Sequence, residues 1–363
     1  MKEKSRRYFI KTYGCAMNVS DAAKLAAVLR SAGYSEADSE QQADMILVVT
    51  CVVRQHAEDR AAGYITSLKG LKEKNPNIII GVCGCIVTEP GRDVKKQFPH
   101  VDLFIPPNSP EKLKDLLQPS PPISPSPRGR GGLVTIAHGC DNYCSYCVVP
   151  YVRGREFSRP LDEVLAEIKG LIEQGVTDIT LLGQNVNSYK PGLANLLMKI
   201  KQLVIRNSSF VIRFLTSHPR DMSDEIIEAV AELPFVAKEF LLPLQSGDNE
   251  ILKRMNRGYT LEHFLGRVEK IRALMPQARI TSDILVGFPG ETEQQFQNTL
   301  KAVKQIKFDE VHMFAYSSRP MTAAAKLSDQ LPDEVKQERL QRLISVVRGI
   351  VKDNPLTKNI TSL

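Results

Sequence analysis

The stretch LVTIAHGCDNYCSYCVVPYVRGRE, residues 133–156, runs from a β-like apolar segment straight into three cysteines, Cys140, Cys144 and Cys147. A strand whose carboxyl end opens into a loop of reactive side chains is how parallel α/β barrels carry their chemistry. The pattern continues downstream. Leu133–His138, Asp178–Leu182, Phe210–Phe214, Glu239–Leu242, Arg279–Val286 and Glu310–Phe314 read as strands, being short and rich in apolar and β-branched residues. Between them Leu161–Gln174, Ala194–Ile205, Asp224–Leu233, Tyr259–Leu274 and Thr292–Ile306 carry apolar residues at helical spacing. Six β/α units predict an incomplete parallel barrel, followed by one charged amphipathic helix over Pro332–Val351.

Upstream the same alternation is shorter. Arg7–Thr12, Met45–Thr50 and Ile78–Val82 read as strands, with helical patterns over Asp21–Ala32 and Ala57–Lys74. That predicts an open parallel sheet with helices on its faces. Ligands of such sheets bind beyond the carboxyl ends of the strands. Cys15 follows the first strand, Cys51 ends the second and Cys85 follows the third, so three strand tips can deliver three thiolates to one point. Cys83, two residues before Cys85, reads as a small buried residue rather than a ligand. Between the two halves, residues 118–132 contain Pro119, Pro121, Pro122, Pro125 and Pro127, which fit neither a helix interior nor a central strand. They predict an exposed linker between domains spanning 1–117 and 133–330, with a helix and tail over 331–363.

The chain has 363 residues, 42% hydrophobic and 25% charged, enough to bury a sizeable core. Its net charge of +7 permits a polyanionic partner without requiring one. The longest apolar run, Asn77 to Val87, is too short for a membrane helix, which needs about 20 residues. The basic start lacks the apolar core of a secretory signal, which predicts a cytosolic protein. Seven cysteines, an odd number, then point to metal ligation or catalysis rather than a disulfide framework.

The spacing C-x3-C-x2-C can wrap three corners of a [4Fe–4S] cluster and leave the fourth iron open, with Tyr146 as an aromatic wall. A zinc site with His138 as fourth ligand and a set of metal-free thiols are the alternatives. Residues 138–156, HGCDNYCSYCVVPYVRGRE, resemble the cluster loop of the radical S-adenosylmethionine methylthiotransferases. The resemblance covers almost the whole chain, through KTYGCAMNVSD, VVTCVVRQHAED, GCIVTE, TLLGQNVNSY, FLTSHPRDMSD, LPLQSGDNEILKRMNRGYT, SDILVGFPGETE and FAYSSRP. GQNVNSY, TSHPRD and MNRGYT favour the branch that acts on tRNA over the one that acts on a ribosomal protein.

The resemblance implies a flavodoxin-like open parallel sheet followed by a partial (β/α)6 radical-SAM barrel. It implies two [4Fe–4S] clusters and S-adenosyl-L-methionine as cofactors. Cys140, Cys144 and Cys147 would hold the cluster that binds S-adenosylmethionine, and Cys15, Cys51 and Cys85 an auxiliary one, Cys85 being preferred to Cys83 because the family string is Gly-Cys. Its expected activity is methylthiolation at C2 of N6-isopentenyladenosine, beside the anticodon in the tRNA anticodon stem-loop. An electron donor such as flavodoxin or ferredoxin, no membrane and a monomer complete the expected setting. Methylthiolation of a ribosomal-protein aspartate or of N6-threonylcarbamoyladenosine are the related alternatives, and a non-catalytic zinc or iron–sulfur RNA-binding protein is one of a different class. Full-length members usually add a small C-terminal β-barrel, and no run of alternating strands is read near Leu363.

By position at the expected barrel strand ends, Gly183, Gln184, Asn185, Thr216, Ser217, His218, Gln245, Ser246 and Asp283 are candidates to bind S-adenosylmethionine, with Tyr146 beside the cysteines. The competing reading is that they cap helices or satisfy loop backbone. Arg153, Arg155, Arg220, Arg254, Arg257 and Arg319 are candidates to meet RNA phosphates or a carboxylate, or else are solvated loop charges.

Overall fold

The computed structural model describes residues 6–116, 131–204 and 210–353, which fall into two compact units. The expected linker lies outside the described residues except for its last two positions. Residues up to 130 form the first unit together with Val148–Gly154, and the remainder forms the second.

The first unit is a five-stranded parallel sheet built from β1 (Arg7–Thr12), β2 (Ser35–Glu36), β3 (Met45–Thr50), β4 (Ile79–Gly84) and β5 (Leu103–Ile105), in the order β2-β1-β3-β4-β5. That is the flavodoxin-like order, with its switch point between β1 and β3. Every residue of β3, MILVVT, is buried, because helices cover both faces of a parallel sheet. The two-residue period divides them. Ile46 and Val48 join one core with Ile65, Leu68, Ile80 and Val82, while Met45, Leu47 and Val49 join another with Leu25, Val28 and Leu29. The helices are α1 (Ala16–Ser31), α2 (Gln55–Lys74), α3 (Val94–Gln97), α4 (Glu111–Leu116) and α5 (Val149–Arg153). Helix α1 begins five residues before the expected Asp21, because Asn18 Oδ1 accepts the Cys15 amide at 3.2 Å and caps the turn. The short β2, β5, α3 and α4 escape a periodicity reading, since so few residues show no period.

The second unit has six parallel strands and one antiparallel ribbon. After β6 (Gly132–Thr135) come β7 (Ala137–His138) and β8 (Phe157–Ser158), then β9 (Asp178–Leu182), β10 (Val211–Phe214), β11 (Glu239–Leu241), β12 (Arg279–Val286) and β13 (Glu310–Ala315). The sheets β6-β9-β10 and β11-β12-β13 are joined where Ile212 bridges Val236, with Ile212 N donating to Phe235 O at 2.8 Å and Ala237 N to Ile212 O at 2.9 Å. The result is an open (β/α)6 barrel. The expected strand Leu133–His138 breaks after Thr135, because Ala137 and His138 leave the barrel to pair antiparallel with β8 and close the cysteine loop at its base.

Helices α6 (Leu161–Glu173), α7 (Leu193–Val204), α8 (Asp224–Glu232), α9 (Asn249–Arg254), α10 (Leu261–Leu274) and α11 (Glu293–Ile306) follow the strands, and α12 (Asp333–Asp353) closes the unit. Phe296, Leu300 and Val303 of α11 recur at helical spacing and pack into the core beside Leu343 and Val347 of α12. Among the described residues, no helix is long and apolar enough to cross a membrane.

Candidate metal centres

All seven cysteines are free thiols. In the first unit, Cys15 caps the N-terminus of α1, Cys51 directly follows β3 and Cys85 directly follows β4. Asn18 ties two of these tips together, donating from Nδ2 to Thr50 O at 2.7 Å while its Oδ1 lies 3.2 Å from Cys15 Sγ. The Cys15 and Cys51 thiols hydrogen-bond to each other, which lowers Cys15 below its ordinary value and raises Cys51, and both feel Cys85 or Arg153. A helix N-terminus is a favourable place for a thiolate. Burial pushes Cys85 up, against the opposing pull of the Arg153 guanidinium. Cys83 sits in the other core, among residues such as Met45, Leu113 and Ile105, while Cys85 belongs to the core with Ile46 and Val48.

Glycines set these positions. Gly84 has φ of +97°, and a Cβ there would stand 2.6 Å from Thr50 O. Gly84→Ala is therefore expected to cost about 2–3 kcal/mol, through left-handed strain and a backbone clash. Thermal unfolding checks this, and a native melting temperature would contradict it.

The sequence leaves Arg153 either a contact for RNA phosphate or a carboxylate or a solvated loop charge, and it is not solvated. Its side chain is only 4% exposed, in the same unit as Cys15 and Cys85, with Nη2 3.2 Å from Asp21 Oδ2. Arg153 Nη1 and Asp21 Oδ1 are buried without a hydrogen-bond partner.

In the second unit the cysteine loop is held from several directions. Ser145 N donates to Met255 O at 2.9 Å and Ser145 Oγ to Arg254 O at 2.8 Å. Asn256 Nδ2 donates to Tyr143 O at 3.0 Å, and Cys147 N to Cys144 O at 2.9 Å. The buried Arg257 donates from Nη1 to Cys144 Sγ at 3.2 Å and from Nη2 to Pro243 O at 3.0 Å. Burial pushes Cys140 up to about 11. Tyr146 packs beside Met255, Phe288 and Tyr316. Other arginines read as free charges have partners too: Arg155 meets Asp141, Arg220 meets Asp221 and Arg254 meets Asp329, while Arg319 is buried.

The donor sets suit a cluster better than a single ion. Zinc needs ligands at about 2.0–2.3 Å, and among the described residues no three His, Cys, Asp or Glu gather to hold one ion. Three thiols on neighbouring strand tips, electrostatically coupled to one another, are the kind of all-thiolate donor set that an iron–sulfur cluster takes.

Around the carboxyl ends of β9 and β10 lies a group of buried polar atoms without partners: Gln184 Oε1, Asn185 Oδ1, Asn187 Oδ1, Ser217 Oγ and His218 Nε2. Unpaired buried atoms are rare in folded proteins, and five on two adjacent strand ends mark a place where a polar ligand belongs. Asn185 is oriented by donating to Asp221 Oδ2 at 2.6 Å. Burial, together with the charges of Arg257 and Arg220, lowers His218 to about 2, so the ring is neutral. Its Nδ1 accepts from Arg220 N at 3.3 Å, leaving the hydrogen on the unpaired Nε2. Asn187 is the one member of this group that the sequence does not single out as a binding residue. Its string was visible, but burial without a partner is not a sequence property.

The other candidates differ. A Cβ on Gly183 would come 3.2 Å from Val186 Cγ1 and 3.5 Å from Ala137 O. Gln245 has φ of +67° and joins the end of β11 to β12 through its backbone, receiving Leu285 N and donating to Asp283 O, both at 2.9 Å. Asp283 is partly exposed and its Oδ1 is engaged by His312 Nδ1 at 3.1 Å.

Residues 134–303 match the model of the radical SAM superfamily, and residues 7–106 that of an uncharacterized protein family, UPF0004. The chain is 39% identical to the tRNA-2-methylthio-N(6)-dimethylallyladenosine synthase of Syntrophotalea carbinolica, over 96% of this chain and 85% of that one. It is 45% identical to the protein of the same name from Caldicellulosiruptor saccharolyticus, over 96% and 79%. Among solved structures it resembles the radical S-adenosylmethionine methyltransferase TsrM from Kitasatospora setae, with a TM-score of 0.65, 15% identity, and coverage of 89% of this chain and 77% of that one. At that identity the likeness is one of fold.

Proposed function

The chain belongs to the family of tRNA-2-methylthio-N(6)-dimethylallyladenosine synthases, and from that membership we propose that it methylthiolates C2 of N6-isopentenyladenosine beside the anticodon of tRNA. The observation that carries this reading is identity of 39% and 45% to such enzymes over 96% of the chain. The cofactors are two [4Fe–4S] clusters and S-adenosyl-L-methionine. When bound, they supply one-electron chemistry, a radical able to take hydrogen from an unactivated C–H bond, and a place for sulfur.

The chain's own residues do the rest. Cys140, Cys144 and Cys147 hold the first of these clusters, and Arg257 steadies it by placing a charge-assisted N–H against Cys144 Sγ. Gln184, Asn185, Asn187, Ser217 and His218 bind and orient the polar end of S-adenosylmethionine, using the buried atoms that otherwise lack partners. Gly183 keeps the end of β9 slim, Tyr146 walls the cysteine loop, and Gln245 and Asp283 shape the mouth between β11 and β12. Cys15, Cys51 and Cys85 hold the auxiliary cluster at the switch point of the first unit. Cys51, Cys85 and Cys140 are buried, while Cys15, Cys144 and Cys147 are half-buried and keep each centre open to its ligands.

The tRNA base is read as a splayed loop nucleotide, the usual target of sequence-specific RNA recognition. The working setting is a cytoplasmic monomer reduced by a flavodoxin or ferredoxin. The test is to incubate the anaerobically reconstituted chain with isopentenylated tRNA, threonylcarbamoylated tRNA and the ribosomal protein, then analyse nucleosides and protein by mass. A methylthio group on the isopentenylated base alone is the expected result. Its appearance on either of the others instead would overturn the substrate assignment.

A further inference from the structure

The Arg153–Asp21 pair is not explained by ligation of a cluster. Both side chains are more than nine-tenths buried, 4% and 6% exposed, and they meet through one contact only, Nη2 to Oδ2 at 3.2 Å. Nη1 is buried without a hydrogen-bond partner of its own, while the guanidinium also engages the Cys85 thiol. A charged guanidinium N–H left unpaired away from water is costly, so a fold keeps one where an acceptor arrives later. The same guanidinium lies beside Cys85 and Cys15. Its charged and thiol neighbours are Cys85, Cys15 and Asp21, so among these groups Arg153 is the one that would attract a further anion entering there.

We propose that Arg153 is the positioning residue for sulfur in this enzyme: clamped by Asp21 through Nη2, it offers Nη1 to a small sulfur anion, sulfide or an alkyl thiolate, carried at the Cys15, Cys51 and Cys85 centre. Planarity suits it to the task, because a fork fixed on one side by a carboxylate presents its other donor in a set direction. Lysine, a point charge on a flexible stem, would keep the charge and lose the direction. This rests on the reading of those three cysteines as a cluster site, and binding requires no electron transfer or bond cleavage.

The test isolates the first unit's centre in the full chain by using the Cys140→Ala/Cys144→Ala/Cys147→Ala protein, reconstituted anaerobically. It is titrated with sodium sulfide and, in a second arm, sodium methanethiolate, and binding is followed by the electron paramagnetic resonance spectrum of the reduced cluster. Arg153→Gln is expected to keep about four irons per chain and to bind both anions roughly ten- to a hundredfold more weakly, the value of one charge-assisted hydrogen bond. Arg153→Lys should recover part of the loss. A response to only one of the two anions identifies which sulfur species the site takes. Native affinity in Arg153→Gln would overturn the proposal. So would loss of iron in both Arg153 variants, since that is a structural role. Absence of a cluster in the parent with Arg153 intact would instead overturn the cluster reading beneath it.

Discussion

Full chain carrying Cys15→Ala, Cys51→Ala and Cys85→Ala is expected to form no methylthio product while still cleaving S-adenosylmethionine. Iron should fall from about eight to about four atoms per chain. The physical reason is that the two cysteine groups are held by different parts of the molecule. The first group stands on strand tips over the cores that contain Leu25, Ile46 and Ile65. The second is fixed within its own unit, by Met255 O, Arg254 O and the Arg257 guanidinium, none of which the substitutions touch. Nucleoside mass analysis measures the product, and chromatography of 5′-deoxyadenosine measures cleavage. Loss of both together, in protein with a native circular dichroism spectrum, would sink the division of labour between the centres.

Arg339→Met is expected to produce the largest loss of stability among single substitutions in the second unit. Glu291, in the turn after β12, has a side chain with 0% exposure, and its Oε2 accepts from Gly287 N and from Arg339 Nη1, each at 2.8 Å. Arg339 Nη1 also donates to Glu291 O at 2.7 Å, and its guanidinium stands over Phe296 at 5.6 Å. Removing one partner of a buried pair strands the other charge, at a cost of about 3–5 kcal/mol. Replacing both, as Glu291→Leu/Arg339→Leu, should recover most of it. The pH dependence has a definite sign. Burial raises the Glu291 carboxyl above its ordinary value, so the folded state holds this proton more tightly than the unfolded one. Its stability contribution is present at low pH and is lost as pH rises through the folded value. The deficit of Arg339→Met should therefore shrink on acidification. Calorimetry of the second unit's transition decides it, and a deficit under about 1 kcal/mol, or one independent of pH, would contradict the account.

Much of this was legible before any fold was known. Hydrophobic period is local, so the long strands and helices could be read directly: β1, β3, β9 and β12 have the bounds their sequence predicts. The cysteine spacing and the strings around it named the family, because ligand spacing on one loop is also a local property.

What the chain alone could not give is everything that depends on partners far away in sequence. Arg153 and Arg257 read as loop charges, and became buried groups only when residues 132 and 113 positions distant met them. The five unpaired polar atoms beyond β9 and β10 exist as a site only because two strands lie side by side and shut out water. Residue type and period follow from neighbours along the chain, so sequence determined the elements and the chemistry available. Burial and pairing follow from neighbours in space, so tertiary structure alone decided which charges are compensated, which donors wait for a ligand, and that the short helix after Cys147 belongs with the first unit.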